Sequence, residues 1–248
     1  MASRIEPAPA ILDASRRWLE PVRAALGSEF LACYLTGSVL RHGFDVRKSR
    51  VNLLIVTRSL GLDVLDRAAR GLPEDGRQPP HYEPLFMSEG QVRQSLDAFP
   101  IEWIEIQEAH LLLEGQDVVG TLTVPRDNLR LQCEHELRVK ALRLRHQYLA
   151  HARHPQRLEP ELKAVASGFA ALFRALLRLR GEEPPAETPR VVERVADLYQ
   201  LDAQALIGAY LARQGERKLS PTDTLALYRR FLGEVDRLVA AIDTLRVP

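Results

Sequence analysis

The feature of this sequence that most constrains its fold is a change of hydrophobic periodicity near Pro125. Before that residue, short apolar runs alternate with helical patterns, and after it every patterned segment has the period of an amphipathic helix. Alternating strands and helices predict a sheet-containing domain, whereas helical patterns joined by short turns predict a bundle. We therefore predict an α/β (α+β) domain with a mixed sheet over residues 1–125 and an all-α helical bundle over residues 126–248.

Compact apolar runs in the first half predict five strands, over residues 30–36, 51–57, 82–87, 101–107 and 118–124. The second run (VNLLIVT) is almost continuously apolar, which is typical of a strand covered on both faces. The fourth (IEWIEIQ) alternates in the period of a strand. Helices are predicted over residues 10–26 and 61–71, and Ser88 with Gln91 resembles a capping box that begins a third, short helix.

The second half is predicted to contain only helices, over residues 127–152, 159–181, 188–213 and 220–246. The third of these is expected to break near Leu201-Asp202. Ser220 followed by Pro221 fits an N-cap with proline at the first helical position. The basic residues of the first helix are interspersed with glutamates, which favours a solvated face with ion pairs one turn apart.

Composition excludes several classes of protein. The chain is 46% hydrophobic and 27% charged with a net charge of +1, so it lacks the overall field that recruits nucleic acid, and we expect no nucleic-acid partner. Cys33 and Cys133 are far apart and match no metal-binding spacing, which indicates buried thiols. No run approaches the roughly 18 to 20 apolar residues that cross a membrane, so we expect a cytoplasmic protein.

The most informative stretch is residues 35–56, LTGSVLRHGFDVRKSRVNLLIV. Gly37-Ser38 follows an apolar strand, Gly43 comes after four more residues, and Ser49 stands just before the next strand. This spacing resembles the signature of the nucleotidyltransferase fold, the family of DNA polymerase beta-like and aminoglycoside nucleotidyltransferase-like enzymes. The resemblance covers about residues 10–125 and is specific between 35 and 56.

The resemblance implies a two-metal site. In the family, a Ser-Asp-x-Asp segment opens the second strand, and aspartates two residues apart point to one face of that strand. They hold two Mg²⁺ ions that neutralise the triphosphate, while the Gly-Ser turn, here Gly37-Ser38, approaches the phosphates. A third carboxylate on a neighbouring strand serves as a base or a metal ligand.

In this chain the two aspartate positions are Arg50 and Asn52. Arginine has no acceptor atom, and asparagine offers one neutral oxygen, so neither replaces a metal-binding carboxylate. We therefore predict no resident metal and a degenerate site. The guanidinium of Arg50 is predicted either to pair with a glutamate across the sheet or to bind a phosphate directly.

Glu102 and Glu105 are the candidates for the third carboxylate, because both lie in the predicted strand IEWIEIQ. They are three residues apart and would therefore face opposite sides of a regular strand, so only one would reach the site. Glu105 is the preferred candidate.

The leading hypothesis is a bacterial-type pseudoenzyme that binds a nucleotide through Gly37, Ser38, Arg50 and Asn52, or a protein partner, between its two domains. A protein partner could also dock on the helical domain. One alternative is an active nucleotidyltransferase with an altered site, carried by Glu102, Glu105 and Asn52, in which case Mg²⁺ would be needed. Another is a helical ribonuclease or toxin-like module, because Arg145, five residues and His151 resemble the motif of a helical ribonuclease family.

Overall fold

The structure is a computed structural model that describes residues 5–41, 44–47, 49–74, 79–166, 168–214 and 219–245. The chain divides into two compact units, Met1–Val124 and Pro125–Pro248. The first unit contains a four-stranded sheet and helices, and the described part of the second contains helices and turns only. The predicted fold class is confirmed.

The first unit, called here the sheet unit, consists of α1 (Pro9–Leu26), β1 (Phe30–Thr36), β2 (Val51–Thr57), α2 (Leu62–Gly71), β3 (Tyr82–Ser88), α3 (Glu89–Gln94), α4 (Pro100–Glu108) and β4 (His110–Gly115). Short 3₁₀ turns follow α1, β1 and β4. The capping box predicted at Ser88 is present, since the Ser88 hydroxyl accepts the Gln91 N–H and the Gln91 side chain accepts the Ser88 N–H.

The sheet has the order β3-β2-β1-β4 and is mixed, as predicted. Strand β1 runs antiparallel to both β2 and β4, whereas β2 and β3 are parallel. The two central strands are apolar on both faces. Leu35 and Ile55 pack into one core cluster with residues of α1 and α2, and Tyr34 and Leu54 pack into a second cluster that includes Trp103 of α4. The expected double coverage of β2 is therefore confirmed.

The strand predicted over residues 101–107 is wrong, because this segment lies within helix α4. Pro100 occupies the first turn, where a missing N–H costs nothing, and the Phe99 carbonyl accepts the Trp103 N–H at 3.0 Å. The indole N–H of Trp103 donates to the Ser95 hydroxyl at 2.9 Å, which fixes the ring beneath the sheet. The place beside β1 is taken by β4, whose short apolar run was not assigned from the sequence.

The strand predicted over residues 118–124 is also wrong. This segment contains the 3₁₀ turn Val119–Thr121, and the buried hydroxyl of Tyr34 accepts the N–H groups of both Val118 and Val119. These amides therefore bond to a side chain of β1 instead of to a neighbouring strand.

The second unit, called here the helical unit, consists of α5 (Arg126–His151), α6 (Leu158–Ala166), α7 (Phe169–Leu179), α8 (Thr188–Tyr199), α9 (Ala203–Gln214) and α10 (Pro221–Asp243). The break predicted near Leu201-Asp202 is confirmed, with Gln200 in the left-handed conformation after α8. Ser220 caps α10 as expected, since its hydroxyl accepts the Asp223 N–H. The single helix predicted over residues 159–181 is instead two helices, α6 and α7.

The expectation for the cysteines is met. Cys33 and Cys133 are both free and buried. None of the helices in the described residues combines the length and the apolar character needed to span a bilayer.

Candidate functional site

The turn after β1 brings the backbone close to β2. Gly37 has a φ of +75°, in the left-handed region that glycine adopts without steric cost. A β-carbon at this position would stand 3.3 Å from the Nδ2 atom of Asn52, so the Asn52 amide lies directly against Gly37. The Gly37 N–H donates to the Ala109 carbonyl at 3.0 Å and is therefore already satisfied inside the fold.

Strand β3 places an acidic side chain beside Asn52. In the parallel β2–β3 pair, Asn52 is in register with Glu83, and in the antiparallel β1–β2 pair Thr36 is in register with Asn52. Asn52 and Glu83 are both exposed. Glu83 thus occupies the kind of position that the resemblance assigns to the third carboxylate, one strand away from the lost aspartates.

The sequence reasoning missed Glu83, although a usable signal was present. Residues 82–87 were predicted as a strand, and Glu83 is the acidic residue in that segment. What the sequence did not supply was the register between β2 and β3, because any pairing of the two apolar runs looks alike from composition alone.

Helix α4 adds two more carboxylates on the same side. Residues three apart on a helix are neighbours on its surface, so Glu102 and Glu105 share a face instead of facing opposite sides as predicted. Both line one cavity of about 480 Å³ with Gly37, Asn52 and Glu83. The remaining lining residues are Thr36, Leu53, Leu54, Pro84, Leu85 and Ile106.

Arg41 forms an ion pair with Glu105, one of the glutamates considered as a partner for Arg50. Its guanidinium donates to Glu105 Oε2 at 2.9 Å, and both side chains are largely shielded from solvent. Arg50 donates from Nη1 to the Tyr82 carbonyl at 3.5 Å, at the start of the β2–β3 pair. The sequence reasoning did not single out Arg41, which lies in the motif but has no counterpart in the signature.

Of the other motif residues, Ser38 is exposed in the 3₁₀ turn, and its carbonyl accepts the Arg41 N–H at 3.0 Å. Gly43 lies outside the described residues. The structure therefore brings Gly37, Asn52, Glu102 and Glu105 to one cavity, whose lining also includes Glu83.

The two positions at which the family motif has aspartates carry no carboxylate in this chain. Within the described ranges, no group of three histidine, cysteine, aspartate or glutamate side chains is arranged to hold a metal ion. Asn52 contributes a neutral amide where the family motif has a carboxylate, and Arg50 contributes only donors. At positions 50 and 52 the chain therefore lacks the paired carboxylates that the resemblance implies.

A second, more apolar cavity of about 660 Å³ adjoins the first and shares Leu85, Glu102 and Ile106 with it. Its wall includes the aromatic side chains of Phe86, Phe99 and Trp103, and the polar side chains of Gln91, Gln94 and Ser95. Aromatic surface with a few placed amides is typical of sites that bind planar, partly polar groups.

Arg145 and His151, the residues of the ribonuclease alternative, lie in the helical unit. Both lie on the continuous helix α5, where a separation of six residues places them about 120° apart around the axis. Arg145 donates to Asp236 at 2.9 Å.

The known proteins that this chain matches are found among solved structures. No protein-family model matches the chain, and no curated protein sequence matches it. Among solved structures, the chain is similar to spectinomycin adenyltransferase AAD(9) from Enterococcus faecialis, solved with ATP and spectinomycin. The identity is 13% and the TM-score 0.51, over 92% of this chain and 97% of that one. At this identity the likeness extends to the fold, and the chain has a nucleotidyltransferase-like fold.

Proposed function

We propose that this protein is a catalytically degenerate nucleotidyltransferase-fold protein that binds a nucleotide in the sheet unit without a metal ion. The observation that carries the proposal is Asn52, a neutral amide packed against Gly37 in the cavity where the family motif would supply a carboxylate. Removing the strand carboxylates at positions 50 and 52 removes the charge that would hold two divalent cations.

The charges of the cavity favour the nucleoside part of such a ligand over its phosphates. Glu83, Glu102 and Glu105 line the cavity, and Arg41 offsets one of these charges. Carboxylates accept hydrogen bonds from ribose hydroxyls and exocyclic amines, but they repel phosphate oxygens. The adjoining cavity with Phe86, Phe99 and Trp103 offers aromatic surface for a base.

Ser38 and Arg50 are the residues proposed to contact the phosphate end. The Ser38 side chain is exposed, and Arg50 lies two residues before Asn52, immediately before β2. A guanidinium can bind phosphate through two parallel hydrogen bonds. In this proposal a single phosphate is tolerated at the mouth of the site, and further phosphates add no affinity.

The test is calorimetric titration with the four nucleosides, their monophosphates and their triphosphates, each with Mg²⁺ and then with a chelator. We expect binding that is unchanged by the chelator and no tighter for the triphosphate than for the monophosphate. Arg50→Ala should weaken binding of the monophosphate and leave binding of the nucleoside unchanged. Binding of none of these ligands would refute the proposal.

A second candidate, an active nucleotidyltransferase with an altered site, gains support from one observation. Glu83 is in register with Asn52, so the cavity has more carboxylates than the sequence motif alone suggested. Asn52, Glu83, Glu102 and Glu105 would carry that activity, and triphosphate binding would then require Mg²⁺.

Glu83→Gln distinguishes the two proposed functions, because it removes one negative charge and preserves the shape of the side chain. In the metal-free binding site the substitution reduces repulsion, and triphosphate affinity in chelator should rise about fivefold. In a metal-dependent enzyme the same substitution removes a ligand or base, so triphosphate affinity in Mg²⁺ should fall. Glu114→Gln, on β4 and outside both cavities, is the matched control.

A further inference from the structure

Helix α5 is apolar on two opposite faces. One face is buried in the helical unit and consists of Leu129, Cys133, Leu137, Ala141 and Leu144. At 100° per residue, the opposite face carries a second row, called here the α5 stripe, which consists of Leu131, His135, Val139, Leu142, His146 and Leu149. All six side chains of this row are exposed.

The exposure of the stripe is unusual for its composition. Leu131 is 54% exposed, Val139 47%, Leu142 62% and Leu149 83%. Single exposed leucines need no explanation, but a row of them along a 26-residue helix is a contiguous apolar surface. From His135 onward the spacing is four, three, four and three residues, the pattern by which two helices pack along a seam.

The stripe is nearly symmetrical about its centre. Leucine stands at both ends, histidine is second from each end, and Val139 and Leu142 form the middle pair. When two copies of α5 run antiparallel, each leucine end meets a leucine, each histidine meets a histidine, and Val139 meets Leu142. A surface that is complementary to itself under a two-fold rotation is the requirement for an isologous dimer.

Two glutamates and two arginines beside the stripe show the same symmetry with charges of opposite sign. Glu134 and Arg145 flank one side of it, and Glu136 and Arg143 flank the other. A further charge, Arg138, lies on the flank of Glu134 and is paired with that residue and with a second carboxylate of its own chain. In an antiparallel pair the glutamates of one copy lie beside the arginines of the other on both flanks. A parallel pair would place like charges together, which is destabilising.

From these observations we infer that the α5 stripe is a self-association surface on which a second copy of this chain docks with its own α5 antiparallel. The stripe is about 27 Å long. A single helix pair of that length buries an area at the low end for specific interfaces, so the dimer should be weak, with a dissociation constant on the order of 10 µM.

The first experiment is sedimentation velocity of the full chain over a concentration series from about 1 to about 300 µM, which brackets that constant. A monomer–dimer equilibrium is expected. Leu142→Glu places a charge at the centre of the seam and should weaken dimerisation at least tenfold. Leu149→Glu should act less strongly at the end, and Leu62→Glu is its control, because Leu62 is 80% exposed on α2 of the other unit.

The second experiment fixes the direction of the helices. In the antiparallel pair Leu131 lies beside Leu149 of the second copy, and about 27 Å from that copy's own Leu131. A mixture of Leu131→Cys and Leu149→Cys proteins should therefore form a mixed disulfide under mild oxidation, whereas neither variant should cross-link to itself. The native cysteines are buried and should not interfere.

Three results would overturn the inference. The first is a protein that stays monomeric through the whole concentration series. The second is a dimer that Leu142→Glu weakens no more than Leu62→Glu does. The third is self-cross-linking of either single cysteine variant at the rate of the mixture, which indicates a parallel arrangement. Circular dichroism of each variant at low concentration shows that the monomer is intact, as expected for exposed positions.

Discussion

The sheet unit and the helical unit place different demands on their individual residues. In the sheet unit, strands distant in sequence meet at close range, and the backbone of Gly115 approaches Leu31 and Ala32 so closely that a side chain has no room. In the helical unit, Gly233 lies on the exposed side of α10 with open space around it. In the sheet unit, close backbone contacts therefore restrict which residue type fits a position. In the helical unit, the main restriction is whether the position faces the core or solvent in the helical period.

The largest expected effect is that of Gly115→Ala. Gly115 has a φ of +96°, and a β-carbon there would stand 2.1 Å from the Leu31 carbonyl oxygen. The β1–β4 pair must shift to relieve this overlap, and the left-handed backbone adds strain, so the variant should lose about 3 kcal/mol or more of unfolding free energy. Urea titration followed by tryptophan fluorescence reports on the correct unit, because Trp18 and Trp103 both belong to it.

A loss below about 1 kcal/mol for Gly115→Ala would break the comparison. It would mean that the end of β4 adjusts without cost and that the sheet unit is as tolerant as the helical unit.

The next largest effect is expected for Tyr34→Phe. The Tyr34 hydroxyl is buried in the sheet unit, accepts the Val118 N–H at 2.6 Å and the Val119 N–H at 3.2 Å, and donates to Asp117 Oδ1 at 3.1 Å. Burial raises the pKa of this phenol, so it stays neutral and retains the donor proton. Its removal leaves two amides without their acceptor, at a cost of about 2 kcal/mol in urea unfolding.

The same substitution in the helical unit should cost less. Tyr228 is also fully buried, but among the described residues its hydroxyl makes one hydrogen bond, to the Leu144 carbonyl at 2.9 Å. A carbonyl inside α5 keeps the N–H of the residue four positions later, so Tyr228→Phe should cost about 1 kcal/mol. Urea unfolding followed by far-ultraviolet circular dichroism measures this loss. Equal losses for the two tyrosine variants would contradict the argument that the number of orphaned groups decides the cost.

The same contrast explains how much of the molecule could be predicted from its sequence. In the helical unit, the break after α8 and the cap of α10 follow from signals within a few residues, and both were predicted. The failure over residues 159–181 is also local, because the turn between α6 and α7 lies in an otherwise continuous helical pattern.

In the sheet unit, the apolar sequences of β1, β2 and β3 were recognised as strands, but the pairing between strands could not be predicted. The segment IEWIEIQ has the alternation of a strand but lies in α4. Pro100 starts a helix at this point, and β4 occupies the edge beside β1. The same mistake placed Glu102 and Glu105 on opposite faces, whereas Glu83 was missed because the register between β2 and β3 was unknown. The motif around Gly37 and Asn52 was predicted because it is contiguous, whereas the rest of the cavity depends on strand register.

The smallest expected effect has the opposite sign. Gly233 lies in the interior of α10, is exposed, and has no neighbouring atom within 4 Å of the place where a β-carbon would stand. Alanine restricts the unfolded chain and favours a helix, so Gly233→Ala should add about 0.5 to 1 kcal/mol to the unfolding free energy. Thermal unfolding followed by circular dichroism should show a higher midpoint temperature. Self-association through the α5 stripe should not change, because Gly233 lies on α10. The same type of substitution, glycine to alanine, is thus expected to lower the unfolding free energy at Gly115 in the sheet unit and to raise it at Gly233 in the helical unit. If Gly233→Ala instead destabilises the protein, then the exposed face of α10 is under a constraint that the helical period does not express, and the simple contrast between the units fails on its helical side.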